Sequence, residues 1–185
     1  MMAADQDFDE LNFAVKAFQD TTMRIRYSNI PVVVAPHNMA LGGGCEISLH
    51  ADKVVAHAEL YMGLVEFGVG LIPGGGGTKE FAKRLSEDLH AGDIKINRLR
   101  DRFLTVGQAK VSLSAYEAFD YGYLREGIDE VVVSRAHHLT RAKGACLEMA
   151  DKGYVPPKRE KNITVVGQEG LGIVYVGANS MLSGN

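Results

Sequence analysis

The stretch from residue 31 to residue 77 constrains the fold most, because it alternates short apolar runs with two clusters of glycine. The clusters lie at residues 42–44 and 74–77, and each precedes a segment that can form a helix. A strand that leads through glycines into the start of a helix exposes backbone N–H groups that can hold negative charge. Glu46 and Glu66 lie between the clusters. The stretch therefore predicts acid or base chemistry beside such donors.

Short strands and helices alternate along the rest of the chain, which predicts an α/β fold. The continuous apolar run at 32–35 is typical of a strand that is buried on both faces, and DEVVV at 129–133 is a second signal of a buried strand. Two more strands are expected at 53–58 and 59–64. Residues 36–42 are expected to form a loop. Helices are expected at 5–28, 43–51, 78–85, 114–121, 134–152 and 171–181, with a further helix within 86–112.

Local signals support some of these helices. The first has an N-cap in Asp5 or Asp7 and an apolar face, and the helix at 114–121 begins with a capping box of Ser114 and Glu117. The apolar face of the first helix consists of Phe8, Leu11, Val15, Phe18 and Ile25. We expect residues 1–152 to form the core domain. Residues 153–185 are expected to form a basic, proline-containing linker and a terminal helix.

Charge and composition exclude several classes of partner. The 185 residues contain 20 Lys and Arg against 23 Asp and Glu, a net charge of −3, which gives no general attraction to nucleic acid or to an anionic membrane. No apolar run has the length of a membrane span. The six histidines form no metal-binding pair of known spacing, so no metal site is expected. Two cysteines, Cys45 and Cys146, are far apart, which is typical of free thiols in a reducing cytoplasm.

The glutamates and the glycines each allow two interpretations. A single glutamate is usually a solvated surface group, but Glu46 and Glu66 have apolar sequence neighbours. Burial would raise their pKa values and suit them to proton transfer near neutral pH. Glycine clusters indicate either close packing of the backbone or a phosphate-binding loop, and the order Gly77-Thr78-Lys79 does not match the usual phosphate-loop motif. Cys45 is expected to be a buried apolar side chain rather than a nucleophile.

The linked motifs in this stretch closely resemble the enoyl-CoA hydratase/isomerase (crotonase) family. They are PVVVAPHNMALGGGCE at 31–46, Ala-Asp at 51–52, MGLVE at 62–66 and GLIPGGGGT at 70–78. The resemblance is strong over about residues 30–84 and weaker through 114–122 and 130–133. The motif at 37–46 and the Tyr-Val-Pro-Pro segment at 154–157 look most like the hydratase domain of bacterial enzymes that also carry a 3-hydroxyacyl-CoA dehydrogenase domain.

The resemblance implies a role for each matching residue. It implies that Glu46 and Glu66 are the two catalytic carboxylates and that the amide of Gly43 belongs to an oxyanion hole. Substrate binding is implied for Leu41, Gly42, Gly43, Pro73 and Gly74. The substrate would be an acyl-CoA thioester, with no metal and no cofactor in this domain, and NAD only in a separate domain. A cytoplasmic homo-oligomer, such as a trimer, is also implied.

In this family the second oxyanion donor and the first strands precede the long first helix. The chain therefore resembles the C-terminal part of a crotonase-like ββα superhelix domain that lacks its N-terminal strands, and weak or no activity is expected of it alone. The expected reaction is hydration of trans-2-enoyl-CoA to 3-hydroxyacyl-CoA in fatty-acid β-oxidation. Two alternatives stay open: isomerisation of enoyl-CoA, and a catalytically silent binding or assembly module.

Overall fold

A computed structural model describes residues 6–90 and 92–183 of the chain, so that Asp5, one of the two expected N-caps, lies outside the described residues. Helices and strands alternate, as expected for an α/β fold. The helices are α1 Phe8–Arg26, α2 Gly43–His50, α3 Gly77–Glu87, α4 Lys95–Gly107, α5 Ala115–Asp120, α6 Arg135–Asp151 and α7 Gly167–Ser183. The strands are β1 Val33–Val34, β2 Met39–Leu41, β3 Lys53–His57, β4 Tyr61–Gly63 and β5 Glu130–Val132, and a 3₁₀ helix covers Glu66–Val69.

The strands form two small parallel sheets. One has the order β1-β3-β5, and the other pairs β2 with β4 so that Leu41 lies opposite Gly63. The prediction of a loop over 36–42 is wrong, because β2 lies within it. The prediction that β1 and β5 are buried on both faces is also wrong, since both are half-buried. They are the outer strands of their sheet, whereas the central strand β3 has four buried residues.

The core lies around α2, β3 and β4. Leu49 of α2, Val54 of β3 and Met62 of β4 are fully buried and belong to one apolar cluster. A smaller cluster packs α6 against the sheet through Val55, Ala142 and Ala145. Burial on this scale, at about 25 cal/mol for each Å² of apolar surface, is the main stabilising contribution to such a domain.

The first helix contacts the rest of the chain through two buried polar residues as well as through Phe18, whose ring lies against Gly75. Asp7 caps it by accepting a hydrogen bond from the amide of Glu10. Its buried residues are Thr22 and Arg26, whereas Phe8 and Val15 of the predicted apolar face are exposed. This pattern differs from the amphipathic prediction because α1 packs against a glycine-rich loop, whose carbonyl groups require donors.

The C-terminal part of the chain packs on the helix predicted within 86–112, which is α4. Helix α7 contacts α4, and the amide of Thr164 donates to Ser86 Oγ over 2.8 Å. The boundary between residues 152 and 153 stays a prediction. Among the described residues, no helix is both long enough and apolar enough to cross a lipid bilayer.

Candidate active site

The N-terminus of α2 forms one wall of the candidate site. Gly42 precedes it with φ of 52°, a left-handed conformation that favours glycine, and its amide donates to the carbonyl of Gly63 over 2.9 Å. Gly43 is the first helical residue, so no carbonyl within the helix accepts from its N–H. This amide and the positive end of the helix dipole can therefore stabilise a negative charge that develops nearby.

Glu46 lies in the first turn of α2 and is only 2% exposed. Its Oε1 accepts a hydrogen bond of 2.8 Å from the amide of Gly77, at the start of α3. Burial raises the pKa of Glu46; the amide of Gly77 opposes this, and the charge of Glu66 raises the pKa further. A carboxyl group with a raised pKa can give and take a proton closer to neutral pH than a solvated one.

Glu66 begins the 3₁₀ helix and is half-buried. Its Oε1 lies close to Gly42, since a Cβ atom added to that glycine would be 3.2 Å from it. Its Oε2 is shielded from solvent but has no hydrogen-bond partner among the described residues. A buried oxygen without a partner is uncommon in a folded protein and indicates a group that can bind a ligand or a water molecule.

Each glutamate lies against the glycine cluster that is remote from it in the sequence. Glu66, which precedes the second cluster, contacts Gly42 of the first. Glu46, which follows the first cluster, is bound by Gly77 of the second and lies beside Gly75. The structure therefore brings together Glu46, Glu66 and both glycine clusters, and Gly43 lies next to this group at the start of α2.

The second glycine cluster packs too closely for larger residues. A Cβ atom at Gly75 would lie 2.2 Å from the ring of Phe18 and 2.5 Å from Glu46 Oε2. At Gly77 it would lie 2.8 Å from Leu64. These distances favour the interpretation of the glycines as points of close approach.

Helix α1 holds this glycine loop from the other side. Gln19 Nε2 donates to the carbonyl of Gly74 over 2.7 Å, and Thr22 Oγ1 donates to the carbonyl of Gly75 over 2.8 Å. Of the other residues expected to bind substrate, Leu41 is half-buried at the end of β2 and Pro73 is buried just before the loop. Sequence reasoning missed Gln19 and Thr22, because nothing in the sequence of α1 indicates which loop carbonyls it meets.

A buried polar network lies behind the site and was also not foreseen. His50 Nδ1 is 2.6 Å from the carbonyl oxygen of Glu46, and its Nε2 is 2.9 Å from Lys79 Nζ. Burial lowers the pKa of His50 to about 4, so the ring is neutral at physiological pH. Glu80 is fully buried and is paired with Arg26 and Lys79. Burial alone would raise its pKa, but these cations lower it to about 2.

Two further expectations concern cysteine and metal. Cys45 is fully buried, and burial raises the pKa of its thiol, so that it is protonated and unsuited to nucleophilic attack. Among the residues described, no group of three or more potential ligands is placed to hold a metal ion.

Comparison with known proteins shows which proteins the chain resembles. Residues 2–92 match the family model for enoyl-CoA hydratase/isomerase. All of the chain aligns, at 44% identity, with 23% of a Bacillus subtilis (strain 168) protein named "Probable 3-hydroxyacyl-CoA dehydrogenase". Among solved structures, an enoyl-CoA hydratase from Bacillus anthracis matches 77% of this chain and 48% of its own, with a TM-score of 0.60 and 27% identity.

A second solved structure shares the fold. It is a Thermobifida fusca YX protein in complex with CoA, with a TM-score of 0.60, 18% identity, and coverage of 78% of this chain and 49% of its own. The chain thus spans about half the length of these two solved structures and about a quarter of the B. subtilis relative.

Proposed function

Since this chain belongs to the enoyl-CoA hydratase/isomerase family and has a crotonase-type fold, we propose that it carries the two catalytic carboxylates for hydration of trans-2-enoyl-CoA. The observation that supports this most directly is the convergence of Glu46 and Glu66 on the turn that starts α2. Paired carboxylates beside an amide at the start of a helix suit a reaction in which a proton moves while an oxygen gains negative charge.

In the proposed reaction, one glutamate takes a proton from water while the water oxygen bonds to Cβ of the enoyl thioester. The electron pair of the Cα–Cβ double bond shifts toward the thioester oxygen, and the amide of Gly43 donates to that oxygen. The second glutamate orients the water or delivers the proton that Cα receives. The product is a 3-hydroxyacyl thioester, and no electrons leave the system, so the step requires no redox cofactor.

The relatives support this choice of substrate. The T. fusca structure of the same fold contains CoA. The B. subtilis relative is named for a dehydrogenase of 3-hydroxyacyl-CoA, which is the product of the proposed hydration. We therefore propose an acyl-CoA substrate, a place in fatty-acid β-oxidation, and NAD chemistry only in a separate domain. A cytoplasmic location and a homo-oligomeric state stay predictions from the family resemblance.

The test is hydration of crotonyl-CoA by the 185-residue chain and by three variants. We expect slow hydration above the buffer rate. Glu46→Gln and Glu66→Gln should each reduce it by about 10²–10⁴, or to the buffer rate, because an acid–base group is lost. Glu59→Gln is the matched control, because Glu59 is exposed between β3 and β4. Binding of crotonyl-CoA is measured in parallel by calorimetry.

Different results separate the alternatives. If the chain isomerises a 3-enoyl-CoA and this activity depends on only one of the two glutamates, the function is that of an isomerase and not of a hydratase. Binding of crotonyl-CoA without turnover would favour a silent binding module. A chain that neither binds nor hydrates crotonyl-CoA, or whose hydration is unchanged in both variants, would overturn the proposal.

A further inference from the structure

We propose that His50 and Lys79 are positioning residues that hold the start of α3 against the carboxylate of Glu46 during turnover. This inference rests on the proposed function. Two hydrogen bonds, between Lys79 and His50 and between His50 and the carbonyl of Glu46, join α3 to α2. They are called the α2–α3 brace below. Both residues act through Glu46, so neither is a catalytic residue.

The hydrogen bonds of the brace have a definite direction. A lysine ammonium carries donors only, so Lys79 Nζ donates to His50 Nε2 over 2.9 Å. The His50 ring is neutral, and its proton is therefore on Nδ1, which donates to the carbonyl oxygen of Glu46 over 2.6 Å. The donors thus run from the first turn of α3, through the last residue of α2, to the turn of α2 that carries Glu46.

The same two helices are also joined at the carboxylate of Glu46. The amide of Gly77, the first residue of α3, donates to Glu46 Oε1 over 2.8 Å. The His50 ring lies against the preceding residue, since a Cβ atom at Gly76 would be 3.0 Å from its Cε1 and Nε2 atoms. Two attachments fix the orientation of α3 relative to α2, whereas a single one would allow it to pivot. The brace therefore keeps the Gly77 amide on the Glu46 carboxylate.

The charges around the brace belong to the network behind the site. Lys79 Nζ is 2.7 Å from Glu80 Oε1, and the same oxygen is 3.6 Å from His50 Nε2. Glu80 is also paired with Arg26. The charged groups that face the ring are thus Lys79, Glu80 and Arg26. Because the ring itself is neutral, an apolar residue in its place removes no charge, and its effect on Glu46 must come from geometry.

The loss of the brace has an effect of known sign on Glu46. Burial raises the pKa of Glu46, as does the charge of Glu66, and the amides of Gly77 and Gly75 lower it. Amide donors favour the charged form of a carboxylate, so a start of α3 that moves away raises the pKa further. The carboxylate also loses its orientation, and a misplacement of about 1 Å at a reacting group can cost about a hundredfold in rate.

The experiment removes each half of the brace in turn. His50→Leu removes both hydrogen bonds without a change of charge, and Lys79→Met removes the donor to the ring. Each variant should lower kcat for hydration of crotonyl-CoA by about 10- to 100-fold, or to the buffer rate, with little change in KM. The double variant should be no slower than the slower single variant, because both side chains act through one brace.

The titration of Glu46 is a readout that a merely structural role would not move. It is followed by ¹³C NMR of labelled glutamate carboxyl groups, and the resonance of Glu46 is identified by its loss in Glu46→Gln. The midpoint should move to higher pH in His50→Leu, together with the limb of the pH–rate profile that has this midpoint. In His50→Gln the amide oxygen can still accept from Lys79, so both quantities should return toward those of the original chain.

Two exposed residues of α6 provide matched controls. His137→Leu and Lys143→Met make the same replacements where His137 and Lys143 are exposed to solvent. Neither should change the hydration rate or the titration of Glu46. Circular dichroism and urea unfolding establish that each variant is folded.

The failure of this inference differs from failure of the proposed function. If the original chain neither binds nor hydrates crotonyl-CoA, the proposed function fails. If it hydrates crotonyl-CoA but His50→Leu leaves both the rate and the titration of Glu46 unchanged, the brace assignment is wrong and the function stands. A folded His50→Leu chain that is slow while Glu46 titrates as before would also overturn the assignment, as would a double variant whose loss is the product of the single losses.

Discussion

Replacing Gly75 with alanine tests whether the second glycine cluster exists for close packing. The added methyl group would lie 2.2 Å from the Phe18 ring and 2.5 Å from Glu46 Oε2. Gly75 does not have a positive φ, so alanine meets no backbone strain there. The whole effect is therefore steric, and it acts on one apolar neighbour and on one proposed catalytic carboxylate.

The size of the effect follows from two opposing contributions. Overpacking of a filled site costs about 1–3 kcal/mol, and alanine recovers about 0.4–1 kcal/mol by reducing the entropy of the unfolded chain. We expect a net loss of about 1–2 kcal/mol in the free energy of unfolding, which lowers the Tm of a chain of this length by about 2–8 °C. Displacement of Glu46 from the amide of Gly77 should also reduce hydration.

Urea unfolding and crotonyl-CoA hydration measure the two effects. Gly44→Ala is the matched control, because a Cβ atom at this exposed helical position has no neighbour within 4 Å. It should be neutral or stabilising by up to about 1 kcal/mol. Phe18→Ala removes one of the two clashes, so Gly75→Ala should cost less in that background, with a coupling of about 0.5–3 kcal/mol. Equal stability of Gly75→Ala and Gly44→Ala, or strict additivity with Phe18→Ala, would refute the reasoning.

Two further predictions concern the buried polar network. The pKa of folded His50 is lowered from 6.5 to about 4, so that between these pH values the unfolded chain binds a proton that the folded chain does not. The contribution of His50 to the free energy of unfolding is therefore complete above pH 6.5. It decreases on acidification toward pH 4, by up to roughly 3 kcal/mol. Urea unfolding at pH 7 and at pH 5 gives the free energy of unfolding at each pH. The difference between the two values should be smaller for His50→Gln than for the original chain, and it should be unchanged for His137→Gln. Arg26→Met should cost about 3–5 kcal/mol because it leaves Glu80 buried without its main partner. Arg24→Met on the exposed side should cost little, and adding Glu80→Gln to Arg26→Met should restore part of the loss; without that recovery, the pairing does not explain the cost.

The parts of the fold that depend on local signals could be predicted from the sequence. Helix α5 begins after Ser114, whose Oγ accepts from the amide of Glu117 as the capping box predicted. It ends before Gly122, which has φ of 75°. Strand β2 could not be found in this way, because its three residues are extended only by pairing with β4, about twenty residues further along the chain.

Local sequence also predicts only part of helix α1. Its length and its cap at Asp7 follow from local sequence, but the residues that it buries do not. Thr22 and Arg26 are buried because a loop carbonyl and a distant carboxylate meet them, at Gly75 and at Glu80. A pattern of apolar residues cannot reveal such partners, although it placed Phe18 on the face of the helix that meets the glycine loop.

The site itself combines both kinds of information. Spacing and apolar neighbours were enough to single out Glu46 and Glu66, yet neither indicates that the carboxylates cross over to opposite glycine clusters. This crossing explains why the two clusters belong to one site. Gly42 leaves the space that Glu66 Oε1 occupies, and the amide of Gly77 is the donor for Glu46. A larger residue at Gly42 or at Gly75 therefore displaces the carboxylate that is farther away in the sequence, Glu66 or Glu46, so that damage to one half of the site must appear as altered proton transfer in the other.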